Sequence, residues 1–178
     1  MTDAQLKTYL DTFTHDGTGD VKRELFVVYL REKSTDDWTA LGYQQESAGI
    51  ENNYEEESIK DILGDVWNSI TSKDEQINMS EYKIHDERSA FLDNIWKMTL
   101  AGLEHLLNTY QLLMVCGWLK DTNGNMFARE VDNVSVRIDN MGGQGYTTSD
   151  LNISGISQGV FGTVANLKNP TFTPGTIE

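Results

Sequence analysis

The sequence predicts a mainly β fold of the α+β class: a β-sandwich or barrel-like domain with one flanking α-helix and one long loop. Three observations predict it. Short runs rich in β-branched and aromatic residues recur between glycine, asparagine and aspartate turn signals, as in "VKRELFVVYLREK" at 21–33. Only one long segment, 86–107, carries apolar residues at threes and fours. Ahead of it, polar residues dominate from Ile50 to about Lys60, and "EEESIKDILG" at 55–64 runs acids directly into Ile59, Ile62 and Leu63.

In chain order, residues 1–20 read as an N-terminal arm, in which "DAQLKTYLDTF" is a marginal helix and "HDGTGD" a turn. Residues 21–33 form the first strand, and "DWTALGYQQES" at 37–47 a second strand or irregular edge. Residues 66–85 alternate weakly and hold one or two further strands. In the helical segment 86–107, Phe91, Leu92, Ile95, Trp96, Leu100, Leu103 and Leu107 build an apolar stripe. Asp86 and Glu87 stand where acids favour a helix start, and Gly102 ends or bends the helix. The continuous apolar run "TYQLLMVCGWLK" at 109–120 suits a fully buried strand, and "TNGN" at 122–125 turns the chain. "NVSVRID" at 133–139 alternates as a half-buried strand should, "NMGGQG" is a glycine loop, and residues 150–166 supply one or two closing strands. The domain therefore runs over 21–166. Residues 167–178, with both prolines, form a C-terminal tail that need not pack.

The 178 residues suit one domain that buries roughly 70% of its unfolded surface. A formal charge of −14 opposes any phosphate-binding role, which needs a basic footprint, though it suits a surface that repels nucleic acid. Cys116 is the single cysteine, so no internal disulfide forms and no oxidising compartment is implied. The first twenty residues lack a signal-peptide pattern, and the longest apolar run, 112–119, is too short to span a bilayer. The expectation is a protein made in the cytoplasm with no membrane partner. The triplets at Asn78, Asn133 and Asn152 then read as chance matches to a glycosylation signal.

Tests for chemistry return little. "GISQG" at 155–159 matches G-x-S-x-G with Ser157 as the nucleophile, but no histidine follows His105, so a glycine-dotted strand is the preferred reading. His15, His85 and His105 lack metal-ligand spacing, and "HDGTGD" lacks the bidentate acid of a calcium loop. "GGQG" at 142–145 lacks the lysine of a phosphate loop. No catalytic residue, metal or cofactor is expected. The acids Glu55–Glu57 have a plain reading as a solvated loop. Against it, loops longer than about 12–15 residues in compact domains tend to be functional or disordered, and Ile59, Ile62 and Leu63 would be aggregation-prone if they faced only water.

The arrangement resembles that of bacteriophage major tail tube proteins. "DILG" at 61–64 after an acidic stretch, "EYKI" at 81–84, "TYQLLMVCGWL" at 109–119, "VSVRIDNMGGQG" at 134–145 and "LNISGISQGVFGTV" at 151–164 carry the likeness, over about residues 22–166. The resemblance implies a β-sandwich with one flanking helix, six copies of which close into a ring whose inner sheet lines a channel. Rings would stack into a tail tube of the virion, together with other tail proteins, and DNA would pass through the lumen without specific binding. It further implies that Glu55, Glu56, Glu57, Ile59, Asp61, Ile62, Leu63 and Gly64 form a loop docking onto neighbouring subunits and rings. The lumen-facing residues are not identifiable at this level. Alternatives are the inner tube of a contractile tail or of a tail-like bacteriocin and, more remotely, a serine hydrolase using Ser157.

Overall fold

The structure, a computed structural model, describes residues 2–17, 20, 26–32, 37–41, 48–60, 66–83, 90–142 and 148–175. Ten strands are described: β1 (Thr14–His15), β2 (Phe26–Glu32), β3 (Thr39–Leu41), β4 (Ala48–Lys60), β5 (Val66–Lys83), β6 (Tyr110–Lys120), β7 (Met126–Gly142), β8 (Thr148–Ser154), β9 (Val160–Val164) and β10 (Phe172–Pro174). Two helices, α1 (Asp3–Leu10) and α2 (Ala90–Leu100), accompany them. All pairings are antiparallel, in the order β3-β2-β6-β7-β8-β5-β4, with β9 and β10 attached beside β7. The mainly β, α+β expectation is borne out.

β6 explains the architecture. Its residues Leu112, Leu113, Met114 and Val115 are all buried, yet they serve two cores. Leu112 and Met114 join Val28, Leu30, Val131, Ile77, Met79, Leu151 and Ile153 in the main cluster. Leu113 and Val115 point the other way, with Tyr29, Met126, Ala128 and Val164. Alternation along a pleated strand sends successive side chains to opposite faces, so a run that is apolar at every position demands cover on both.

β7 provides the first cover by changing partners along its length. Residues 126–131 pair with β6 and, on the other side, β9; residues 135–142 pair with β8. Between them Asn133 adopts φ 60°, a left-handed conformation asparagine tolerates better than most residues. The sheet folds over at this point, so that β5 and β8 lay Ile77, Met79, Leu151 and Ile153 onto the main core. Ile95 of α2 is buried in the same cluster, with Met98 packed against it.

The second face of β6 is covered by the C-terminal segment. The expectation of an unpacked tail is corrected: β10 pairs with β9, Leu167 and Phe172 pack on the second cluster, and Pro170 is buried. Tyr29 Oη donates to the Leu167 carbonyl at 2.6 Å. A Cβ at Gly162 would lie 2.2 Å from the Thr173 carbonyl, so the close approach of this segment requires a glycine there.

The marginal helix expected in the arm is present as α1, which adds a second helix to the one flanking the domain; it is started by a capping box, Thr2 Oγ1 accepting from Gln5 N–H and Thr2 N–H donating to Gln5 Oε1. Its Tyr9 meets Phe13 edge-on, and Phe13 meets Phe127 of β7, which ties the arm to the domain. The helix expected over 86–107 is shorter. Leu103 N–H reaches the Met98 carbonyl and Gly102 N–H the Thr99 carbonyl, with Gly102 at φ 69°, which is the Schellman ending. Leu100 and Leu103 therefore leave the core-facing stripe, and a 3-10 turn at Glu104–Leu106 leads to buried Leu107. Asp86 and Glu87 lie outside the described residues.

Two measurements check this packing. Leu112→Ala should cost about 2–5 kcal/mol in denaturant unfolding, whereas Leu100→Ala on the exposed end of α2 should stay within about 0.5 kcal/mol. Burial also pushes Tyr29, and burial together with the nearby Glu32 charge pushes Tyr110, up from 10.0 to about 12. The folded state thus holds protons the unfolded chain releases, so this contribution is intact below pH 10 and lost as pH rises from 10 towards about 12. Stability should fall over that window, and tyrosinate absorbance should show a fraction of the seven tyrosines ionising late.

Candidate functional site: a projecting acidic hairpin

β4 and β5 form a hairpin far longer than the sheet that carries it. The register runs from Ala48↔Met79 to Lys60↔Val66, with a bulge between Glu55 and Glu56. β8 pairs β5 only from Ile77 onwards, so residues 66–76 pair with β4 alone among the described residues. At about 3.3 Å per residue the paired arm extends roughly 36 Å past the last β8 contact. The polar stretch 50–60, expected as a loop, is thus a strand. Its backbone groups are satisfied by β5 whatever the side chains are, and residues 51–55, 57 and 58 are exposed on whichever side of the pleat they fall, which leaves no apolar alternation to read.

Of the residues expected to dock, Glu55 and Glu57 lie exposed on β4. Glu56 and Ile59 sit in the same strand, opposite Ile70 and Trp67. Asp61, Ile62, Leu63 and Gly64 lie outside the described residues.

The base of the hairpin is fastened by a buried ion pair that sequence reading missed. Glu75 of β5 shares the pleat face of Ile77 and Met79 and is itself buried. Arg129 Nη1 of β7 donates to both its carboxylate oxygens, at 2.9 and 3.0 Å, and Lys73 Nζ adds a third contact at 2.9 Å. The rest of the Arg129 fork holds the β8–β9 loop: Nε donates to the Gln158 carbonyl at 2.9 Å and Nη2 to the Ser157 carbonyl. The planar guanidinium thus joins β7, the hairpin and the loop at one point. Nothing in the spacing of residues 75 and 129 could have revealed this, since only the fold-over of β7 brings them together.

Ser157 is thereby placed. It lies exposed between two strands, β8 and β9, in a loop rather than in the strand expected for it. The strand–turn–helix elbow that G-x-S-x-G chemistry requires is missing at this position.

The outer face of β4, β5, β8 and β7 is polar. Glu51, Asn53 and Glu55 of β4 share it with Asp74, Gln76 and Asn78 of β5 through the register. Asn152 of β8 sits at its centre, donating through Nδ2 to Gln76 Oε1 at 3.1 Å and to Asn78 Oδ1, and accepting from Arg137 Nη2 at 3.3 Å. Gln76 in turn donates to Asp74 at 2.7 Å. Amides therefore form a hydrogen-bonded ladder in which carboxylates outnumber cations. Among the described residues β4 pairs only with β5, and residues 135–142 of β7 pair with no strand but β8, although Val136 N–H donates to the Leu107 carbonyl at 2.8 Å and so closes the start of that flank. Among the described residues no group of histidines, cysteines and acids is arranged to hold a metal.

No family model and no curated protein matches the chain. Solved structures are similar at low identity. A chain in the sheath–tube complex of an extracellular contractile injection system, PVC, in its extended state shares 11% identity at a TM-score of 0.47, covering 82% of this chain and 93% of that one. A chain in the anti-feeding prophage cap (AFP tube terminating cap) shares 11% at 0.48, covering 84% and 95%. A chain in the six-fold symmetrised anti-feeding prophage baseplate shares 10% at 0.48, covering 78% and 92%. Likeness of this degree assigns neither ring, channel nor cargo to the chain.

The ion pair makes a sharp expectation. Arg129→Met should strand a buried Glu75 carboxylate and cost about 3–5 kcal/mol in urea unfolding. Adding Glu75→Gln should recover part of that loss, which a double-mutant cycle measures directly.

Proposed function

We propose that the protein is the subunit of a phage-type tail tube, with six copies closing into a ring and rings stacking into a tube. The observation that carries this reading is one layer whose β4 edge, and whose β7 edge beyond Val136, pair with no further strand among the described residues, with a polar outer face and a hairpin longer than its own sheet can cover. Exposed strand edges are ready templates for pairing with another chain, and a long one left open in a monomer invites uncontrolled association. Closure of several copies into a ring satisfies both flanks at once and leaves no edge. The order of motifs along residues 22–166, which resembles that of tail tube proteins, supports the same arrangement.

In this assembly the outer face of β4, β5, β8 and β7 lines the channel. Glu51, Asp74 and Glu55 then present carboxylates to the lumen, with the Gln76–Asn78–Asn152 amides between them. Like charges at 4 Å repel by only about 1 kcal/mol in water, but the repulsion repeats around every ring and up the tube. Duplex DNA, carrying a charge every ~1.7 Å, would be kept off such a wall rather than held by it. No catalytic step is required of the chain, and its partners are further copies of itself and other tail proteins of the particle.

The test is assembly. Light scattering over a concentration series should show growth to ring and tube masses, and negative-stain images should show tubes of constant width with six-fold end views. A strict monomer at high concentration overturns the proposal. Glu51→Lys with Asp74→Lys should leave tube length unchanged yet make the tubes retain duplex DNA at low salt, with retention lost as salt is raised.

A further inference from the structure

The G-x-S-x-G segment at 155–159 stands in a loop, and its geometry gives it another use. Its two ends, Gly155 and Gly159, take left-handed conformations at φ 73° and 67°. Between them Ile156 is buried in the main core, whereas Ser157 and Gln158 are exposed. What these two residues supply is backbone: the Gln158 carbonyl accepts from Arg129 Nε at 2.9 Å and the Ser157 carbonyl from Arg129 Nη2. A Cβ at Gly159 would stand 2.3 Å from the Glu130 carbonyl oxygen, so the loop approaches β7 this closely only with glycine there. The segment is therefore a pair of carbonyls pinned by one apolar anchor and two glycine turns.

We propose that this loop aims the β4–β5 hairpin, acting through Arg129 as a positioning residue. A guanidinium is a rigid plane, so acceptors on its Nε and Nη2 fix the direction in which Nη1 points. Nη1 donates to both carboxylate oxygens of Glu75, at 2.9 and 3.0 Å. Glu75 lies two residues beyond Ile77, the outermost β5 residue that β8 pairs. Lys73, which also reaches Glu75, belongs to the hairpin and moves with it. On the opposite face Asn152 holds Gln76 by a neutral amide hydrogen bond at 3.1 Å. The inclination of the ribbon is thus set between one forked cation and one amide, and the cation is itself oriented by the loop. This goes beyond the tube reading, since it holds for the chain by itself.

Spin labels on Glu57→Cys and Asn123→Cys, both exposed sites, in a Cys116→Ser background read the inclination as a distance distribution in dilute protein. A swing of about 10° at the root moves residue 57, roughly 23 Å along the ribbon, by ~4 Å. Arg129→Lys keeps a cation for Glu75 but lacks the planar fork. Gly155→Ala strains the loop at its other end, where a Cβ meets nothing closer than the Asn133 carbonyl at 3.9 Å. Each should widen the distribution by about 4 Å or more. Gly102→Ala strains a left-handed glycine outside this network and should leave the parent width. In protein carrying Arg129→Met with Glu75→Gln, where loop and hairpin no longer share the guanidinium, Gly155→Ala should widen nothing further. A parent-like width in Arg129→Lys or in Gly155→Ala overturns the proposal. So does equal widening by Gly102→Ala, or a full further widening by Gly155→Ala in the double variant.

Discussion

The structure is organised by the requirement to cover β6 on both faces. Fully burying an aliphatic side chain is worth about 1.5–3 kcal/mol, and Leu112, Leu113, Met114 and Val115 alternate between two cores. One face obliges the sheet to fold over at Asn133 so that β5 and β8 lie across it. The other recruits a segment from the chain end, through Leu167, Phe172 and the Tyr29 hydroxyl. Tyr29 illustrates how tightly this is drawn. Its ring fills the second core while its hydroxyl, which burial would otherwise leave without a partner, finds the one carbonyl that the C-terminal segment brings.

The fold-over at β7 also determines where the hairpin can stand. By turning at residue 133 the strand carries Arg129 to the rim of the main core, opposite Glu75. A buried pair of this kind gives little net stability, because desolvation offsets much of the attraction. What it supplies is geometry: three elements are held by one planar group, so the direction of a ribbon roughly 36 Å long is set at its root. A small angular error there would displace the far end by many ångströms, which is why a forked donor rather than an apolar contact suits the position.

Charge is distributed with the same economy. Arg31, Lys73, Lys120 and Arg129 are each engaged by an acid. Glu51 and Asp74 lie on the outer face of the hairpin's layer, beside the amides of Gln76 and Asn152. There Asn152 joins Gln76, Asn78 and Arg137 in one hydrogen-bonded group.

The sequence by itself determined the mainly β class, the position of α2 and the double-faced burial of β6. Each of these is written in a local period: threes and fours around Ile95, an apolar run at 112–119, alternation at Val134 and Val136. It also exposed the contrast between an acidic stretch and its apolar end at Ile62 and Leu63. It did not show that residues 48–60 are a strand, because a strand held by backbone hydrogen bonds and exposed at 51–55, 57 and 58 has no hydrophobic period there. It did not show that Leu100 and Leu103 leave the stripe, because helical spacing continues through Gly102 while the backbone does not. Only the tertiary structure decided that the C-terminal segment is part of the core, and that Glu75 meets Arg129 across 54 residues of chain. The physical reason is common to these last two. Burial and ion pairing between distant segments depend on which faces the sheet turns towards each other, and that was settled by the fold-over of β7, a property of the packed whole.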